Sequence, residues 1–462
     1  MKTASVSDFT RGNTTRLILR FYGPLLLTSM LQQLYNFVDT LIVGNGLGDN
    51  ALAAVGNMGS IFFLVVGFSM GLSNGFGIVI AQSFGAHDHD KLRRSLASTI
   101  KLSFGIATLL TISGVIFLPG ALHILNTDEV IMPDSLKYGY IILGGISTSI
   151  FYNVSSCVLR SLGDSKTPLK AILVSSVLNL GLDALFIFGL HTGVEGAAIA
   201  TVFSQLVSGM ICVRQLRRIE LIRLQRSDFK NPRSLYFEML KNGIPMALMS
   251  SITAIGCMVV QSYVNNYGVA YTSAYSVCSK YDNLFMNPAF TAGNAMSAYT
   301  SQNFGARDYG RIRDGLHVCL AICFATYILL GGLMVLFPRT LAGFLLEGEQ
   351  PIALASQFLP VAGYSMIAVD FLFVFRSGVQ SMGRPLVPMI SGIMEMLTRI
   401  LAIVLLMGSI GFVATAYAET AAWTSACLMN MVAFYKILLP RLPKKEKSGA
   451  KASGRLTLNK VY

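Results

Sequence analysis

Twelve long apolar stretches leave this chain little choice of fold. They fall at approximately 16–44, 55–82, 98–119, 136–158, 167–190, 196–216, 237–263, 274–301, 315–338, 353–382, 386–408 and 412–436. An apolar run of about 18 or more residues with few charges is long enough to cross a bilayer as a helix. Inside lipid a helix satisfies its backbone N–H and C=O groups within the segment. Composition agrees with that reading, because 53% of the residues are hydrophobic and only 13% charged, whereas soluble domains carry roughly 25% charged residues. The expected fold class is therefore all-α and integral to the membrane, with twelve transmembrane helices.

The formal charge of +13 would suggest nucleic acid in a soluble protein, but its distribution explains it otherwise. With the amino terminus placed in the cytoplasm, 31 of the 36 Lys and Arg residues fall on inside segments. The outside loops hold only Lys137 and Arg339, while Lys101, Lys280 and Arg399 lie within spans. This asymmetry orients a polytopic protein, and an even number of spans leaves both termini cytoplasmic. No nucleic-acid partner is expected; the bilayer is the partner, and the chain is expected in the inner (plasma) membrane. The seven cysteines all fall in apolar stretches without a CxxC pair, so neither a disulfide framework nor a metal site is implied. Residues 1–15 are polar and precede a span too long for a removable signal peptide.

An internal repeat organises the spans. AQSFGAHDHDKLRRSL at 81–96 recurs as SQNFGARDYGRIRDGL at 301–316, a shift of 220 residues. The same shift carries Gly48 onto Gly268, Asn74 onto Asn294, Gly163 onto Gly383 and Pro168 onto Pro388. Each copy holds six spans, so the two halves insert with the same orientation, as parallel repeats about an axis along the membrane normal. The expected organisation is an amino-terminal arm at 1–15, a six-helix bundle at 16–216, a basic cytoplasmic linker at 217–236, a second bundle at 237–436, and a basic tail at 437–462. The linker is expected to include an amphipathic helix on anionic lipid. The tail, with Lys444, Lys445 and Lys447, is expected to be disordered. In the repeated loops Gly85 and Gly305 are expected to supply the turn, and Asp88 and Asp308 to stand just ahead of a helix start. These loops are either capped entries to the next span or elements of an intracellular gate. His87 and His89 become Arg307 and Tyr309 in the second copy, which argues against a metal role.

The paired SFGA and NFGA loops resemble those of the multidrug and toxic compound extrusion (MATE) family. So do the stretch from Pro24 through NFVDT (36–40) to ALAAVG (51–56), and VLNLGLD (177–183) followed by GAAIAT (196–201). The resemblance covers roughly residues 16–436 and points to the DinF-like branch. It implies a V-shaped pair of six-helix bundles around a central cleft, working by alternating access as a monomer. It further implies export of cationic or amphipathic small molecules by antiport against protons or sodium, with no other cofactor.

Ionisable residues inside spans are expensive and mark functional sites or internal partners. Six acidic candidates stand there: Asp39, Asp183, Asp282, Asp370, Glu395 and Glu419. Asn179 and Asp183 are spaced i, i+4 on one helical face, and Tyr35 is one turn before Asp39. With the Thr201 hydroxyl, these groups offer either a shared proton site or oxygen ligands for a hard cation. The alternative is a polar cluster that fastens spans one, five and six. Asp39, Asn179, Asp183 and Thr201 match the cation site of the family position by position. At the 220-residue shift they become Val259, Arg399, Ile403 and Ala421. A fastening needed by every bundle should recur; a coupling site need not. Pro24, fifteen residues before Asp39, removes a backbone hydrogen bond and offers a bending point in the first span.

Asp370 is expected either to face the cavity as a second-tier charge or to pair with Arg376 or Lys280. Asp282 with Lys280, and Glu395 with Arg399, are expected as internal ion pairs. The 21 Met and 28 Phe residues suit adaptable packing around varied guests but name no contact. A flippase for lipid-linked saccharides shares the architecture; it would need several cationic groups for phosphate, whereas the buried charges here are mainly acidic. No HExxH, phosphate-binding loop or nucleophile–base pair is present, and GNGLGDN (44–50) misses the dinucleotide spacing. An enzyme is not expected, and a channel suits the dual repeat less well than a carrier does.

Overall fold

The computed structural model describes residues 6–125, 127–230 and 232–442. The tail lysines 444, 445 and 447 lie outside these, as does the disorder expected there. Among the described residues the chain is helical throughout, without strands. The first half runs α1 (Thr14–Leu47), α2 (Asp49–Gly85), α3 (His89–Ile124), α4 (Met132–Gly144), α5 (Ile146–Ser161), α6 (Lys166–Ala184) and α7 (Val194–Leu216). The second runs α8 (Arg233–Asn265), α9 (Val269–Gly305), α10 (Tyr309–Thr326), α11 (Gly332–Leu336), α12 (Pro338–Leu345), α13 (Glu349–Ser381), α14 (Leu386–Ile410) and α15 (Ala414–Leu438).

Among the described residues these helices make twelve passes. α4 and α5 are one pass bent by 44°, where Gly145 leaves room for Val202 of α7. α10 and α11 are one pass joined through a π-helical turn at Tyr327–Gly331. Eight helical stretches meet a strict test of length and apolar character, nine with the bent pair, and one of these, Leu386–Arg441, contains both α14 and α15. α1 and α9 fall outside that test because they carry polar groups, and they are two of the helices through which the halves meet. The short α12 was not expected; it sits between the spans α10–α11 and α13, with Phe344 and Leu345 exposed.

The repeat governs local geometry. Gly48 and Gly268 turn α1 into α2 and α8 into α9 with φ of 84° and 104°, a region that favours glycine. At the other end, Asp88 accepts from the Lys91 amide at 2.9 Å and Asp308 from the Arg311 amide at 3.1 Å. Each is the N-cap of the next helix. The expected role of Gly85 and Gly305 in making the turn is corrected. Both are the last residues of their helices, and the left-handed residues are His87 (φ 55°) and Arg307 (φ 59°). The glycines serve close packing instead. A Cβ at Gly85 would lie 2.5 Å from the Gln302 carbonyl carbon, and one at Gly305 would lie 2.8 Å from that of Gln82.

Those contacts join the two halves at the end carrying the repeated loops, here called the loop end. Gln82 Nε2 donates to the Ser381 carbonyl and Gln302 Nε2 to the Ser161 carbonyl, both at 2.8 Å. Further along α2, Gly71 meets the Ala247 backbone and Gly75 the Gly243 backbone, a small-residue crossing of the kind that lets membrane helices approach closely. Ser29 donates to Asn287 at 2.5 Å. Towards the opposite end Leu34, Phe37, Leu41, Ile255, Met258 and Val259 are exposed. The halves are thus packed together at the loop end, while these faces of α1 and α8 beyond it are uncovered.

The linker differs from expectation. In place of an amphipathic helix it makes two single turns, Glu220–Ile222 and Arg226–Phe229. Ile219 and Ile222 are buried against Leu92, Leu96 and Cys212 of the first bundle, so its apolar residues are used inside the protein rather than on lipid.

Candidate functional site: a carboxylate pair in the first bundle

α1 and α6 run side by side, which brings Tyr35 and Asp39 against Asn179 and Asp183. Asn179 and Asp183 are almost fully buried, at 1% and 0% exposure. The Asn179 amide is oriented so that its oxygen accepts from the Thr201 backbone N–H at 3.1 Å. Its nitrogen then donates to Asp183 Oδ2 at 2.7 Å and to the Tyr35 hydroxyl at 3.2 Å. The Asp39 and Asp183 carboxyls are neighbours, and Thr201 lies beside Tyr35. All five residues expected at this site are therefore together. α6 passes directly from Asp183 into a π-helical turn at Leu185–Gly189; such turns recur at functional positions because they re-aim side chains.

One oxygen of each carboxylate, Asp39 Oδ1 and Asp183 Oδ1, is buried without a hydrogen-bond partner. A buried polar atom in this state carries a desolvation cost of about 1–3 kcal/mol or more. Unpartnered buried oxygens on two neighbouring acids fit a group that is taken up and released, either a proton or a hard cation with oxygen ligands. Sequence reasoning missed Tyr138 of α4, which lies near both carboxylates. Its signal was weak: α4 contributes through a bent span, and no spacing rule links it to α1 or α6.

The second bundle handles its charges differently. Arg376 donates to Glu395 at 2.6 Å, and Arg399 bridges Glu395 at 3.0 Å and Glu419 at 2.9 Å. All four are buried, forming a chain of two guanidinium and two carboxylate groups across α13, α14 and α15. The Glu395–Arg399 pair is as expected; Arg376 and Glu419 extend it. Two other expectations are corrected. Lys280 is exposed and makes no ion pair among the described residues, while Asp282 is buried with Oδ1 unpartnered. Residues i and i+2 point to different sides of a helix, which is why the two do not meet. Asp370 does not face open space: it is 1% exposed, with Tyr22 and Cys323 as neighbours, and Arg376 is engaged elsewhere. Pro24 lies inside α1, which continues through it, and Thr28 Oγ1 donates to the Pro24 carbonyl at 2.7 Å.

The family model MatE matches residues 24–185 and again 245–405, one match in each half. The chain belongs to the MATE family, whose members are membrane transporters rather than enzymes. It is 27% identical over 384 residues to the probable multidrug resistance protein YoeA of Bacillus subtilis, covering 81% of this chain and 82% of that one. It is 23% identical to DNA damage-inducible protein F of Escherichia coli, covering 76% and 78%. A crystal structure described as MATE in the bent conformation superposes with a TM-score of 0.88 at 22% identity, covering 95% of this chain and 98% of the other.

Proposed function

We propose that this chain exports cationic or amphipathic organic compounds by antiport against H+ or Na+, and that Asp39, Asp183, Asn179, Thr201 and Tyr35 take up the coupling ion. The observation carrying this reading is the pair of neighbouring carboxylates with unpartnered buried oxygens in the first bundle. The relatives named as multidrug resistance proteins support the class of cargo. The protein acts as a monomer in the plasma membrane, with the loop end and both termini in the cytoplasm.

In this mechanism the cleft between the uncovered faces of α1 and α8 receives cargo when the loop end opens and releases it when that end is closed. An ion entering the carboxylate pair neutralises the repulsion between Asp39 and Asp183 and changes their bonds to Asn179. α1 responds at Pro24, where the missing backbone hydrogen bond makes bending cheap. The change narrows the first-bundle side of the cleft and displaces cargo. The buried, bridged Arg376 and Arg399 speak against the lipid-linked alternative, since their charge is already matched by Glu395 and Glu419 and is not offered to a phosphate.

The test is efflux of a fluorescent organic cation from proteoliposomes, with a pH or sodium gradient imposed one at a time. The expected result is export driven by one gradient and lost in Asp39→Asn. Export by Asp39→Asn that is undiminished and still gradient-dependent would sink the assignment.

A further inference from the structure

Ser7-Asp8-Phe9 and Ser227-Asp228-Phe229 are the same tripeptide 220 residues apart, the offset of the helical repeat. Each lies just ahead of the first helix of one bundle, and each docks on the opposite bundle. The second copy is held on α3: Lys101 Nζ donates to the Phe229 carbonyl at 2.7 Å and sits 5.7 Å from its ring centroid, and Arg93 approaches Asp228 at 3.6 Å.

The first copy bridges the halves. Its Ser7 amide donates to the Leu162 carbonyl of the first bundle at 3.2 Å. Two residues on, the Phe9 amide donates to Gln302 Oε1 of the second bundle at 2.8 Å. The Phe9 carbonyl accepts from Arg311 Nη2 at 2.9 Å and from Asn303 Nδ2 at 3.3 Å, and Arg311 Nη1 reaches the Gly12 carbonyl at 2.9 Å. The Phe9 ring is buried, 5.1 Å edge-on from Phe21 and 5.8 Å from Tyr299. Gln302, which holds Phe9, is the same residue whose amide nitrogen ties α9 to Ser161.

We propose that Ser7–Gly12 is a strap that holds the loop end closed, and that this end opens only when Phe9 leaves its seat between the bundles. The strap is not a feature both bundles share. Where Asn303 and Arg311 grip it, the first bundle has Ser83 and Lys91, and Lys91 instead pairs with Glu238 at 2.9 Å. The arm is irregular, so its backbone groups depend on side chains of the far bundle. Water can replace those bonds when the arm lifts, which makes the contact reversible. By stabilising one of two arrangements, the strap sets how often the other is populated.

The test uses the full chain, freed of cysteines, with a single reporter thiol in detergent. Ser161→Cys reports on the closed loop end, where Ser161 is buried, and Val259→Cys on the opposite end, where Val259 is exposed. Phe9→Ala is expected to speed alkylation at Ser161→Cys by about tenfold, equivalent to about 1.4 kcal/mol, and to slow it at Val259→Cys. Phe9→Leu, which keeps an apolar side chain in the seat, is expected to restore shielding. Arg311→Gln, which removes three bonds to the arm but leaves the aromatic seat, is read the same way and serves if Phe9→Ala fails to fold. Unchanged rates at Ser161→Cys in both variants would overturn the strap, as would equal acceleration at both ends, which means general loosening. The readout involves neither cargo nor coupling ion, so it stands or falls separately from the efflux assay.

Discussion

A methyl group added at Gly85 would stand 2.5 Å from the carbonyl carbon and 2.6 Å from the Cα of Gln302. These are backbone atoms of a helix in the other bundle, so no side-chain rotation relieves the overlap. Restoring an ordinary carbon–carbon separation of about 3.5 Å requires α2 and α9 to part by about 1 Å. Overpacking of this kind costs about 1–3 kcal/mol. Parting the helices also stretches the two 2.8 Å bonds of Gln82 and Gln302, each with a net contribution of about 0.5–1.5 kcal/mol. The closed loop end should therefore lose about 2–6 kcal/mol, at least a tenfold shift in population. Gly105 of α3 provides the contrast, because nothing lies within 4 Å of a Cβ there. Gly105→Ala should stabilise by about 0.4–1 kcal/mol through reduced freedom of the unfolded chain. The assay is alkylation of the Ser161→Cys reporter together with thermal unfolding. Gly85→Ala should expose the reporter and Gly105→Ala should not. If Gly85→Ala raises the unfolding temperature as Gly105→Ala does and leaves Ser161→Cys shielded, the close approach is not a feature of the working protein.

Arg399→Met should destabilise the second bundle by about 3–5 kcal/mol, because it strands Glu419 in the interior and leaves Glu395 with Arg376 alone. Unfolding in detergent measures this, and a variant as stable as the parent would mean the network carries no weight. Tyr138→Phe keeps the ring and removes only the hydroxyl near Asp39 and Asp183. It should shift the ion concentration for half-maximal export by about 2–10-fold, a change of about 0.4–1.4 kcal/mol, with unfolding temperature unchanged; an identical ion dependence would take Tyr138 out of the site.

The helices were legible because lipid enforces them: an apolar run of sufficient length has no other stable form. The helix starts at Asp88 and Asp308 were legible for a local reason, since an aspartate caps the amides that follow it. What escaped was decided by contacts between elements. Gly85 looked like a turn residue, but its lack of a side chain serves the facing Gln302 backbone, which no window of sequence contains. The Asn179–Asp183 face was readable from its i, i+4 spacing, whereas Tyr138 arrives from a separate bent span. The pairing of Asp282 with Lys280 failed on helix geometry that the sequence already held, as i and i+2 diverge. Arg376 found Glu395 across two helices, a partnership fixed by packing alone.

The two bundles answer one question in opposite ways, and the difference turns on a single matched position. Asn179 in the first bundle and Arg399 in the second occupy equivalent places in the repeat. Both side chains reach a carboxylate on their own helix, four residues on at Asp183 for one and four residues back at Glu395 for the other. An amide donates to its carboxylate without supplying charge, so the acid pair beside Asn179 is left without a matching positive charge. A guanidinium brings that charge permanently and occupies two acids at once. Glu395 and Glu419, neutralised from within, have nothing to gain from binding a proton or sodium, and their network ties α13, α14 and α15 to one another. On the proposed mechanism the coupling ion is therefore taken up beside Asn179 and not at the equivalent Arg399 position of the second bundle.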